Sequence, residues 1–437
     1  MNKNDIEALV HRGDDFYQNA DYNRAIDYYV RALEMDTKNP EALEGLGQAY
    51  AAQSDWERAV RIFEQLTDIK PESPVAHYLF GHALGAFGDY ERALDELISA
   101  RGLGYANADL HSAIGYVLHM QGEVESAMES YRKALDMDPQ DTNTLFNYGK
   151  ALIAQHSYVA ARNTLEEAAN IDPEDAEVWV TLGEVYEDLH ELDLALEAYE
   201  QALRLEPESH EARCLAARVS LLLGHITEAE LEFRQALDED PDDCEAWAGL
   251  GEVLIVQERY HEAAAACRRA LNIDPASPYS LTCFVNACDR TGNLDEARRA
   301  VTTALKIMPE NPDLWYLLAG IEATADIPQR ALRAYQKAVE LSPLDAAAHA
   351  GIGWAFIELG RDYKEAEKHL LQSVRLAPDW YYPCIQLGEL FLRMNNTEAA
   401  AEWFTRAYQI APNEPEVLQI LADPDIQGIL DNQQLLQ

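Results

Sequence analysis

The sequence predicts an all-α fold, a solenoid of antiparallel helix hairpins, on three observations. Prolines recur at Pro71, Pro139, Pro173, Pro207, Pro241, Pro275, Pro309, Pro343, Pro378 and Pro412, spaced by 34 apart from one gap of 68 and one of 35. Units counted from Ile6 at this period carry alanine at their twentieth position in all twelve copies, from Ala25 to Ala400. Apolar residues at positions four, seven, eight and eleven, and again at twenty, twenty-four and twenty-seven, form two stripes at helical spacing.

The elements follow in order. Residues 1–5 are a short lead, and residues 6–414 hold twelve 34-residue units, with one extra residue in the eleventh near Arg361 and Asp362. In each unit a first helix buries positions such as Trp179, Leu182 and Tyr186. Turn signals such as Gly88-Asp89, Gly122-Glu123 and Gly292-Asn293 end that helix and start the next. Glycine fills position eight in nine units, and with the alanine at twenty it is expected to let the paired helices approach closely. The second helix carries Tyr29, Phe63, Tyr131 or Tyr199 at position twenty-four. It stops at the proline, which has no N–H to donate and restricts the residue before it. One hairpin cannot bury both of its faces, but twelve stacked hairpins share a continuous core. Residues 415–437 leave the register: Pro415 to Ala422 is expected to cap the last unit, with a short helix after Pro424 and a tail.

Trp179, Leu182, Gly183, Tyr186, Ala195, Tyr199, Ala202 and Pro207 match the tetratricopeptide repeat position by position within one unit. The chain resembles that family from residue 6 to 414. The resemblance implies a right-handed superhelix whose first helices line an inner groove, and a role in binding proteins or peptides.

Composition narrows the partners. The 34 Lys and Arg face 77 Asp and Glu, a formal charge of −43. Such a surface repels phosphate backbones and attracts basic proteins, so no nucleic-acid partner is expected. No apolar run approaches the roughly 18 residues that cross a bilayer, so membrane insertion is not expected either. The amino terminus lacks the pattern of a signal peptide. The six cysteines show no pairing framework, which suits a reducing compartment, and the expected location is cytoplasmic.

The stretch LDEDPDDCEAW, residues 237–247, places six carboxylates within eight positions. It resembles a cation loop only superficially. A calcium loop needs spaced oxygen ligands, a central glycine and a terminal glutamate, whereas Pro241 occupies the middle here. The stretch joins two units, so Asp242, Asp243 and Glu245 are expected to cap the following helix. Catalytic constellations fail as well. GHALGAFG has no lysine or preceding strand, and neither HExxH nor GxSxG occurs. His77, His111 and His349 share position four, where core packing is expected. No cofactor, metal or enzymatic activity is expected.

With positions four, seven, eight and eleven buried, positions two, five, nine and twelve form the free stripe of each first helix. In units six to eight this stripe and position thirteen offer Glu177, Glu184, Glu187, Asp188, Glu211, Arg218, Glu245 and Glu252. Toward the carboxyl end it offers Tyr279, Tyr316, Trp354 and Tyr382, with Arg290 and Arg393 nearby. These residues are the expected partner-binding site of a scaffold or adaptor. It would take a segment with basic residues against the acids and apolar anchors against the aromatics. Two alternatives remain. One is a structural protein that assembles with itself through its exposed aromatics. The other, ranked third, is a co-chaperone, since DPDIQGIL is weakly similar to the small DP motifs of Hop-type co-chaperones. The chaperone-peptide clamp of lysine, asparagine and arginine across three consecutive units is missing.

Overall fold

A computed structural model describes residues 3–424 and 426–428, and among them 25 helices and no strand. Residues 429–437 of the expected tail lie outside the described residues. The chain divides into two compact units at Ala212 and Arg213. Both consist of helix hairpins in which neighbouring helices pack against each other.

The hairpins follow the repeat. In the second, Pro40–Ala52 and Trp56–Ile69 are the paired helices, and in the sixth they are Ala176–Asp188 and Leu192–Leu205. First helices start on capping side chains. Asn39 accepts from the Ala42 amide at 2.9 Å, and Asp175 accepts from those of Glu177 and Val178. Such caps satisfy N–H groups that a helix start leaves unpaired. In the acidic stretch Asp243 caps the helix, accepting from the Glu245 and Ala246 amides, while Asp240 accepts from that of Asp242 in the turn before it. Asp242 and Glu245, expected as caps too, make no such bond among the described residues. The turn inside each hairpin passes through a left-handed residue, glycine in units such as the third (Gly88, φ 99°) and Ala20, Ser54 or His190 in others.

The alanine at position twenty is fully buried in all twelve units. The glycine at position eight faces the side chain at position twenty-four as well as the alanine. A Cβ on Gly13 would lie 2.5 Å from the Tyr29 ring, on Gly183 2.5 Å from Tyr199, and on Gly388 2.5 Å from Phe404. The glycine therefore makes room for the side chain at twenty-four and, in the third unit, also for the alanine's backbone, since a Cβ on Gly81 would lie 3.0 Å from the Ala93 carbonyl oxygen. Position four also does more than pack. Trp179, Trp247 and Trp315 donate their indole N–H to the carbonyls of Pro173, Pro241 and Pro309 at 2.8–3.0 Å. His77 and His349 make the same bond to Pro71 and Pro343 through Nε2. His77 is only half-buried and holds Glu96 through Nδ1 at 2.5 Å. The histidines replace tryptophan as donors to the proline carbonyl, a role that core packing alone does not describe.

In the second unit the helix Pro415–Leu421 buries Val417 in the same core cluster as Leu387 and Leu390, and residues 424 and 426–428 are again helical. Ile426 packs with Ala400, Ala401 and Phe404.

Candidate functional site

In the first unit the free stripe of the first helices meets two cavities. One, of about 810 Å³, is lined by Glu177, Glu184 and Glu211, three of the residues picked out by spacing. Asp175, Glu206, His119 and Lys150 join them. Lys150 lies 3.5 Å from Glu177 and over the Phe146 ring. Burial lowers the pKa of His119, and the Lys150 charge adds to the effect. The histidine is therefore neutral near pH 7, and five carboxylates face a single lysine in this cavity. Glu187 and Asp188 belong to the same helix but not to this lining: Glu187 accepts the Tyr199 hydroxyl at 2.6 Å, and Asp188 is exposed at the helix end.

The other cavity, of about 410 Å³, involves no residue that the sequence analysis selected. Trp56, Tyr78, His82 and Tyr116 line it together with Asp109, Asp141, Asn143 and Asn147. Tyr78, His82 and Tyr116 occupy positions five, nine and nine, the same stripe that nominated residues farther on. A survey of the stripe for aromatics in the third and fourth units would have found them.

The second unit treats its candidates unevenly. Tyr316, Trp354 and Tyr382 converge on a cavity of about 370 Å³, joined by Tyr335, Trp380 and Gln386. Tyr316 and Tyr335 lie 5.7 Å apart between ring centres, and Trp380 stacks on Tyr382 at 5.6 Å. Gln386 is 2% exposed, and neither amide atom has a hydrogen-bond partner. It comes close enough to Tyr382 to influence that phenol, but without the geometry of a bond. Burial raises the pKa of Tyr316 and Tyr382, so both stay protonated and able to donate.

Other candidates are engaged in internal contacts. The Tyr279 hydroxyl donates to Glu252. Arg290 donates to the Tyr260 hydroxyl at 2.8 Å and covers that ring. Arg393 bridges two first helices, donating to the Ile357 carbonyl and to Glu358, each at 2.8 Å. These contacts make the two arginines braces between hairpins. Glu245 and Arg218 lie exposed on their helices. No helix among the described residues is long and apolar enough to cross a membrane.

Helix hairpins repeated at a fixed period define the class of helical repeat proteins that serve as protein-interaction scaffolds. Three tetratricopeptide repeat models match residues 216–279, 254–321 and 310–426, and the model of the cilia and flagella-associated protein 70 C-terminal domain matches 2–214. The chain is a tetratricopeptide repeat protein. It is 30% identical over 110 residues to the anaphase-promoting complex subunit CDC16 of Saccharomyces cerevisiae, covering 25% of this chain and 13% of that one. It is 35% identical over 134 residues to the type IV pilus assembly protein PilF of Pseudomonas aeruginosa, covering 30% and 53%. The chain thus spans about half or less of the curated relatives it matches. The crystal structure of yeast Tom70 shares the fold, with a TM-score of 0.50 at 19% identity over 98% of this chain and 96% of that one.

Proposed function

We propose that this chain is a non-catalytic scaffold that holds a partner segment on the free stripe of its first helices. Basic side chains of the partner meet the acidic cavity of the first unit, and apolar or aromatic side chains enter the aromatic cavity of the second. The convergence of Tyr316, Trp354 and Tyr382 on one cavity carries the reading. Large rings that leave an opening among themselves are frequent energetic anchors of interfaces. Of the two relatives, one is named as a subunit of a complex and the other as an assembly protein, names that suit a scaffold.

The test is a lysate pull-down with mass spectrometry on three forms of the full chain. These are the wild type, Trp354→Ala with Tyr382→Ala, and Glu177→Gln with Glu211→Gln, each checked for native helicity. The expected result is that one set of proteins is retained by the wild type and depleted from both variants. Recovery of the same proteins from all three forms would sink the reading. A light-scattering concentration series separates it from self-assembly, which predicts growth in mass with concentration.

A further inference from the structure

The cavity lined by the second to fifth hairpins of the first unit combines two features that together select a charge. Its walls are aromatic. The Trp56 and Tyr78 rings each lie 6.1 Å from the His82 ring, and Tyr105 stacks behind Tyr78 at 4.7 Å. Tyr116 adds a further ring. Two carboxylates lie at the rim. Asp109 accepts from the Asn107 amide at 3.0 Å, and Asp141 accepts the Thr144 hydroxyl. Neither belongs to an ion pair among the described residues.

His82 does not neutralise them. Desolvation beside the neighbouring rings lowers its pKa, against the opposing pull of Asp109, although the side chain keeps one side open to solvent, so the ring adds no positive charge to offset the carboxylates near pH 7. The result is a cavity of about 410 Å³ lined by aromatic rings and two carboxylates. Ring faces are electron-rich and attract cations, most strongly when the cation is desolvated. An anion would meet Asp109 and Asp141. A neutral apolar group would leave both carboxylates poorly solvated beside it.

We propose that this cavity is a subsite for one cationic side chain, lysine or arginine, of a bound protein segment, held over the Trp56 and Tyr78 rings and paired with Asp109 and Asp141. The proposal rests on the scaffold reading above and adds a second cation-selective contact to it. It also assigns a role to residues outside the acidic cavity of the sixth hairpin.

The test uses the full chain labelled with 5-fluorotryptophan, with the Trp56 fluorine signal assigned through Trp56→Phe. The probes are Nα-acetyl-lysine methylamide and Nα-acetyl-arginine methylamide, with the Nε-acetylated lysine compound as the neutral control. A saturable shift of the Trp56 signal is expected with one or both cations and not with the control. In Asp109→Asn with Asp141→Asn, at least a tenfold loss of affinity is expected. In Glu177→Gln with Glu211→Gln, the Trp56 response should be unchanged. An equal response to the acetylated compound, or an undiminished one in the Asp109/Asp141 variant, overturns the subsite. Should Trp56 stay silent while the pull-down still depends on the acidic and aromatic cavities, the subsite fails and the scaffold reading stands.

Discussion

The ring at position twenty-four and the glycine at position eight are a matched pair, and the pair can be tested one residue at a time. Tyr199 is fully buried, with its hydroxyl on Glu187, and a Cβ at Gly183 would intrude on its ring at 2.5 Å. Overpacking a filled core costs about 1–3 kcal/mol. Gly183→Ala is expected to lose that much in urea denaturation, and Gly183→Ala with Tyr199→Leu to recover part of it. Tyr131 offers the opposite case. It is fully buried like Tyr199, but its hydroxyl has no partner. An unpaired buried hydroxyl costs about 1–3 kcal/mol, so Tyr131→Phe is expected to leave stability unchanged or raise it by about 1 kcal/mol. A clear loss would mean that the hydroxyl has a bond after all. The sequence showed both the glycine and the ring but paired the glycine with the alanine at twenty. Periodicity identifies positions that share a face. It does not say which side chain fills which gap across two helices.

Within a hairpin, boundaries and caps were legible because Asp, Asn, Ser and Pro act locally. Asp243 caps its helix through amides two and three residues ahead. Contacts between helices were less legible, and the eleventh hairpin shows why. His349 donates through Nε2 to the Pro343 carbonyl, so its Nδ1 accepts from His369, 2.8 Å away. No periodic signal marks that pair, since His369 lies on the second helix, Tyr363–Leu376. Burial, with the neighbouring His349 and the Lys368 charge, lowers the pKa of His369 to about 4, against the opposing effect of Glu365. The ordinary value is about 6.5. Above that pH neither the folded nor the unfolded chain protonates this group, and its contribution to stability is fully present. Between about 6.5 and 4 the unfolded chain takes up a proton that the folded one refuses, so stability falls as pH drops. From pH 7.5 to 5.5 the loss from this residue is expected to be about 1 kcal/mol. Denaturation of wild type and His369→Gln at both pH values measures it. Equal pH dependence in the two would remove His369 as the cause.

At the scale of the whole molecule, the repeat was legible because twelve copies of one pattern constrain one another, whereas a binding site is written only once. The stripe nominated acids and aromatics by position, but it could not tell a residue that lines a cavity from one used as a brace. Trp354 lines a cavity and Arg393 holds two hairpins together, although the sequence put both in the same candidate site, one on the stripe and one beside it. The net charge of −43 affects every residue at once. Self-repulsion of this kind opposes folding and weakens as salt shortens the screening length from about 30 Å at 0.01 M to about 10 Å at 0.1 M. The melting temperature is therefore expected to rise over that range of sodium chloride. Attraction of a basic partner is screened by the same ions, so its association rate is expected to fall severalfold as the protein becomes more stable. The opposite signs separate electrostatic capture from a general effect of salt on the fold. If both stability and association rise with salt, the aromatic cavity dominates recognition, and the acidity serves solubility rather than the partner.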